Sequence, residues 1–418
     1  MLSQVPGLLD QIRDRFAHVD TCPFEGPRVF FENAGGALTL KSVVETSAAH
    51  ASYPDNQGRD NSASHALMQA IETGVSDVRT FFNAPTGQVF IGESGTEVLF
   101  RLVRAASLGA PKGGTMLCST LEHPASRSAM TKWSENTNRT LATAIHDDAS
   151  GSIDIEAFRQ CLTPDLRVAT VVQTSPVTGM STDVPGIIAA IRTVAPDCFI
   201  IVDGIQHASH GGINLKGYDA DGFAISPYKV FSRHGYGIGW ASDRLTAVPR
   251  EGLVGAPATE WKLGTRDSGS YATFSDVVDY FAWLGGHFTE SKDRRAQIEA
   301  AGSAIQAHEH HLTKVMMHGV GNLAGLVDIP GVHIIGDPDS PAREGVVSLT
   351  LDTMDSIDLV TFLREQGIRV HIRKNDYYCG NILAPLGLDT CIRVSICHYN
   401  TEQEVTQFLT AMQAAANG

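Results

Sequence analysis

The chain has 418 residues, 43% of them hydrophobic and 19% charged, which suits two or three domains with buried cores and excludes a disordered polymer. Lys and Arg total 32 against 46 Asp and Glu, a net charge of −14 that repels phosphate backbones and anionic lipid, so nucleic-acid and membrane roles are disfavoured. Seven scattered cysteines (Cys22, Cys118, Cys161, Cys198, Cys379, Cys391, Cys397), none spaced as CxxC or for zinc, point to reduced thiols in a cytoplasmic protein.

In chain order, Val5, Leu8, Leu9, Ile12 and Phe16 recur at helical spacing, so residues 1–20 predict an amphipathic helix packing on the body. No apolar run there has signal-peptide length, and none later approaches a membrane span. Short β-rich runs follow at Val89–Ile91, Thr115–Cys118, Val168–Gln173, Phe199–Val202, Phe223–Ile225 and Ile238–Ala241, alternating with helical patterns. The alternation predicts an α/β fold with a mostly parallel central sheet and helices on both faces, in a large domain over 21–290. A long helical stretch then runs to about Met317. Runs at Val332–Ile335, Val346–Leu351, Ile368–Ile372 and Ile392–Ile396, with helical patterns at Ser356–Gln366 and Glu402–Ala415, predict a smaller α+β domain over 291–418.

Ligands of such sheets bind at the carboxyl ends of the strands. The run Phe199–Val202 leads into Asp203-Gly204-Ile205-Gln206, and the next run leads into Ser226-Pro227-Tyr228-Lys229. Gly92-Glu93-Ser94-Gly95-Thr96 turns directly into a helical pattern, whose first N–H groups suit a phosphate. A phosphate cradle, an acid and a lysine are what pyridoxal 5'-phosphate requires. The amine of Lys229 would join its aldehyde as a Schiff base, the carboxylate of Asp203 would keep its pyridine nitrogen protonated, and the amide of Gln206 would meet its ring hydroxyl.

From Asn33-Ala34-Gly35-Gly36 to Tyr399-Asn400-Thr401, these motifs in this order resemble the class V aminotransferases among fold-type I pyridoxal-phosphate enzymes, and most of all their cysteine-desulfurase-like branch. The resemblance implies cofactor binding by Gly95, Thr96, His123, Asp203, Gln206, Ser226, Tyr228, Lys229 and Thr265. His123, in Glu122-His123-Pro124, would stack on the ring. Gly264-Thr265 matches a loop that reaches the phosphate of the other subunit, which implies a homodimer with shared sites. Arg393 matches the clamp on the substrate carboxylate; Arg373 and Asn33 join it on the substrate side. Lys229, His123 and Cys379 make up the implied catalytic set, and no metal is implied.

Two departures from the family pattern stand out. Pro176 occupies the place of an asparagine near the ring hydroxyl, so that hydrogen bond is absent or comes from Thr178. Arg373-Lys374-Asn375-Asp376-Tyr377-Tyr378-Cys379 replaces an Arg-x-Gly-x-His segment before the cysteine. The implied reaction is loss of a β-substituent from a small amino acid through quinonoid chemistry at Cα, by desulfuration through Cys379 or as a C–S lyase. Transamination and epimerisation use the same lysine and acid. Outside this class stand a hydrolase on Ser94, His123 and Asp203, although Gly92-Glu93-Ser94-Gly95 falls short of GxSxG, and an inactive cofactor-binding module. His308, Glu309, His310, His311 and His318 lack the HExxH pattern and read as a solvated helix face. The sequence names neither the substrate nor a sulfur acceptor.

Overall fold

A computed structural model describes residues 2–257 and 260–418, so Met1 of the expected N-terminal helix lies outside the described residues. Seven strands form the main sheet: β1 (Gln88–Gly92), β2 (Thr115–Ser119), β3 (Thr140–Ala144), β4 (Leu166–Val172), β5 (Phe199–Asp203), β6 (Gly222–Ile225) and β7 (Gly237–Ala241). Their spatial order is β1-β7-β6-β5-β4-β2-β3. All pairs from β6 to β3 are parallel, and β7 runs antiparallel to both β6 and β1. The sheet is therefore mostly parallel, as the alternating pattern predicts. The sequence reading misses β3, an edge strand of Thr-Leu-Ala-Thr-Ala that is largely uncovered and so carries no strong apolar run.

The period of two sorts side chains between two cores. Met116, Cys118 and Ile201 pack beneath the Gly95–Gly109 and Pro124–Asn136 helices, whereas Leu117, Ile200 and Val202 face the opposite core with Ile187, Ile188 and Ile191 of the Val184–Val194 helix. A strand apolar on both faces is what a doubly covered parallel sheet demands. The N-terminal helix is shorter than its spacing predicts, Leu8–Arg13, but Leu8, Ile12 and Phe16 are buried in the main core.

A second sheet, β8 (Val332–Ile334), β9 (Val346–Leu351), β10 (His371–Lys374) and β11 (Thr390–Ser395), is antiparallel in the order β8-β9-β11-β10. Its core draws on the helices Arg294–His318, Ser356–Glu365 and Glu402–Asn417. Asp293, Asp355 and the Thr401–Glu404 capping box start these helices by capping their N-termini. The run Ile368–Ile372 is not one strand. Ile368–Arg369 pairs with Val29–Phe30, and the chain then passes to β10, so each piece answers to a different partner. No helix among the described residues is long and apolar enough to cross a membrane.

Candidate active site

Because β1, β4, β5 and β6 share a direction, their carboxyl ends lie along one edge, and the chemistry-bearing loops follow from it. Ser94 caps the Gly95–Gly109 helix by accepting from Glu97 N, which leaves the amides of Gly95 and Thr96 at an open helix end. A Cβ at Gly95 would collide with Ser226 Oγ and lie 2.7 Å from Ile205 Cδ1. Only glycine keeps that cradle open beside the Ser226 hydroxyl. Tyr228 stacks on His234, ring centroids 4.2 Å apart, and stands half-buried over the same turn.

Asp203 closes β5. Its Oδ1 accepts from Ile205 N at 3.0 Å and its Oδ2 from Ser126 Oγ at 3.4 Å. Burial pushes this carboxyl up to about 6, against the pull of the Ile205 amide and Lys229. Glu122 is buried beside it, with Oε1 accepting from Val172 N at 3.0 Å, and burial together with the Asp203 charge lifts it to about 8. Nothing in the local sequence pattern gives Glu122 a role.

An acid whose folded value is raised binds its proton when the unfolded chain has already released it, so stability falls as pH climbs from the ordinary carboxyl range to about 8. Glu122→Gln is expected to flatten that slope. Melting temperatures at pH 5 and pH 8 should differ by roughly 3 °C less than in the parent, and an unchanged difference would show that Glu122 is ionised throughout.

Lys229 ends the short 3-10 turn Pro227–Lys229 after β6. It is buried, and its Nζ donates to Gln206 Oε1 at 3.0 Å. Burial, reinforced by Arg393 and opposed by Asp203, lowers the amine to about 7. His123 caps the Pro124–Asn136 helix, Nδ1 accepting from Ala125 N at 3.1 Å. Burial and the cations Lys229, Arg373 and Arg127 hold it near 3, so it stands as a neutral imidazole. Tyr378 leans over it, ring centroids 5.9 Å apart.

Arg393 projects from β11, fully buried, and its Nη1 donates to Pro176 O at 2.8 Å. Its Nε is buried without a partner among the described residues, and burial with Arg373 nearby lowers it to about 10. The proline that replaces the expected asparagine thus supplies a carbonyl to the arginine. Thr178 is committed to its own turn, accepting from Met180 N at 3.3 Å. Asn33 is engaged inside the fold, its Nδ2 donating to Ser395 O at 2.7 Å and its Oδ1 accepting from Tyr399 OH.

Cys379 is fully buried, with Arg373 Nε and Nη2 at 2.9 and 2.7 Å from its Sγ. Burial raises the thiol, and Arg373 opposes that rise. Arg373 is therefore engaged with the cysteine. Thr265 is exposed in the single chain.

The reading of 308–318 as a solvated face is corrected. His308 and Glu309 are each 2% exposed, and only His318 among the group is open to solvent. Glu309 meets His210, and Glu344 meets His207, both at 2.7 Å, behind Gln206. These pairs join residues 99 and 137 positions apart, and nothing in local spacing signals them.

The open helix end beside Ser226, the buried acid and the desolvated lysine fit the phosphate, pyridine nitrogen and aldehyde of pyridoxal 5'-phosphate. A family model described as Aminotransferase class-V matches residues 29–265 and 295–408. A probable cysteine desulfurase of Xylella fastidiosa (strain Temecula1) is 25% identical over 410 residues, covering 92% of this chain and 90% of that protein. The aminotransferase-like protein FGM3 of Gibberella zeae is 24% identical over 421 residues, covering 97% and 98%. The crystal structure of the cysteine desulfurase CsdA of Escherichia coli shares the fold, with a TM-score of 0.79 and 21% identity across 98% of both chains. With most of its length under that family model and the lysine, acid and cradle along one sheet edge, this chain belongs to the class V aminotransferases, a family of pyridoxal-phosphate-dependent enzymes.

Proposed function

We propose that this enzyme cleaves the C–S bond of cysteine or a close analogue, with Lys229 as the cofactor-bearing amine and Cys379 as the sulfur acceptor. When bound, the cofactor supplies an aldehyde for amines and an electron sink for Cα. Gly95, Thr96, Ser226 and Tyr228 would hold its phosphate, Asp203 its ring nitrogen, and His123 would pack as a neutral ring on its face. Lys229, lowered to about 7, is largely split between amine and ammonium at neutral pH, so it can both take and return the Cα proton. Arg393, with a buried and unpartnered Nε, suits a carboxylate.

The observation that carries the desulfurase reading is the guanidinium of Arg373 against Cys379 Sγ, because a cation there offsets part of the cost that burial sets on the thiolate, although burial still leaves the thiol raised. In the balanced reaction the substrate C–S bond breaks, an S–S bond forms on Cys379, the thiol proton passes to Cβ, and alanine leaves. Full burial of Cys379 favours a second reading, a lyase that releases sulfide and pyruvate without that bond. Cys379→Ser separates the two. Alanine formation from cysteine is expected to fall at least about a hundredfold, whereas undiminished sulfide and pyruvate would replace the desulfurase reading with the lyase.

The exposed Thr265 supports a homodimer in which that loop completes the other subunit's phosphate site. Sedimentation equilibrium should give twice the chain mass; a monomer with full activity would remove that reading. Seven unpaired cysteines support a cytoplasmic location.

A further inference from the structure

The Gln206 amide stands between two titratable groups. Lys229 Nζ donates to Oε1 at 3.0 Å, which turns Nε2 toward His210 Nε2 at 3.2 Å. An amide nitrogen only donates, so this contact requires a His210 with the lone pair on Nε2 and its single ring proton on Nδ1, whereas the Glu309 charge also raises the His210 value and so favours a second ring proton. Nδ1 lies 2.7 Å from Glu309 Oε2, and a carboxylate accepts there. Gln206, His210 and Glu309 are all buried, so water does not compete at any link. Cys397 Sγ is within 4.8 Å of the His210 and Glu309 ligand atoms, but Nδ1 and Oε2 are at hydrogen-bond distance, closer than the ~3.3 Å between ligands spread around zinc.

We propose that Glu309 and His210 are positioning residues that fix which end of the Gln206 amide faces the Lys229 amine. A carboxylate on Nδ1 keeps the ring proton there. Without it the proton is free to move to Nε2, where an N–H would face the amide NH2, donor against donor. The amide would then turn over and offer NH2 to Lys229, and an ammonium would lose its acceptor. The consequence reaches Lys229 Nζ from the Arg294–His318 helix through Gln206, while Glu309 and His210 themselves touch no reacting atom.

Other charges bear on each link. Lys229 is faced by Asp203, Arg393, Arg373 and His123, and His210 by Glu309, Glu344, Lys229 and His398. Glu309 is faced by His210, Glu344, Cys397 and Tyr399. A variant at Glu309 therefore changes one charge as well as the relay, and the test must separate the two.

The inference rests on Lys229 being the reactive amine, a reading that borohydride fixation of the loaded parent protein and peptide mapping check separately. The relay itself is tested on the full-length chain freed of cofactor, by trace acetylation of Lys229 over a pH series with peptide mass spectrometry to locate its titration midpoint. Glu309→Gln is expected to lower the midpoint by about one unit, tenfold less ammonium at a given pH, and Glu309→Asp to restore it. In a Gln206→Ala background, Glu309→Gln should add no further shift. An equal drop in that background would overturn the relay in favour of direct charge. An unmoved midpoint in a Glu309→Gln protein that melts like the parent would overturn it as well. Should Glu309→Gln fail to fold, His210→Phe enters the same cycle with the same expected drop and the same criterion.

Discussion

Lys229→Ala is expected to reduce turnover at least about a thousandfold and to leave a protein that carries no borohydride-fixable cofactor. The loss should not be a loss of folding. Lys229 is a base whose folded value, about 7, lies below its ordinary one, so between the two the unfolded chain binds the proton more readily and stability rises with pH. The buried charge is a cost to the native state, heaviest below pH 7. The alanine variant should therefore melt no lower than the parent at pH 6. Steady-state assays, thermal melts at pH 6 and mass mapping of the reduced adduct check the three parts. An adduct on another lysine would overturn the assignment outright.

Arg393→Ala is expected to lower kcat/KM for the amino acid by roughly a hundredfold or more, the scale of a lost charge-assisted pair in a dry site. Arg393→Lys should rescue little, because an ammonium cannot reproduce both the hydrogen bond to Pro176 O and a forked grip on a carboxylate. There is a second, independent signature. After burial, Arg393 is the largest influence holding the Lys229 amine low, so its removal should raise that amine's value. An alkaline shift of the Lys229 acetylation midpoint in cofactor-free Arg393→Ala reads it. An unmoved midpoint would place Arg393 too far from Lys229 to act on its amine.

Much of this was legible in the sequence because it is local. Doubly apolar runs such as Phe199–Val202 announce buried parallel strands, and a polar residue directly after each run lies at the sheet edge by construction. Asp203, Gln206 and Lys229 are readable for that reason. Asn33 reads as a substrate contact only from its motif, whereas its amide, besides bonding Phe30 O, is held by residues more than 360 positions away. The same holds for Glu309: helical spacing gives its face, but only the packing of that helix behind Gln206 shows that the face is buried. The split of 368–372 between two partners is a matter of what lies alongside, which a β-rich run does not encode.

Asn33, Ser395, Tyr399 and Asn400 knit the opening segment of the chain to its closing one, and Arg393 sits on the strand they clasp. Residues 95, 203 and 229 all leave the ribosome long before 393 does. A nascent chain can thus carry Lys229 while it still lacks the Arg393 guanidinium. Synthesis must therefore reach the clasp before the Arg393 guanidinium can take its place near Lys229.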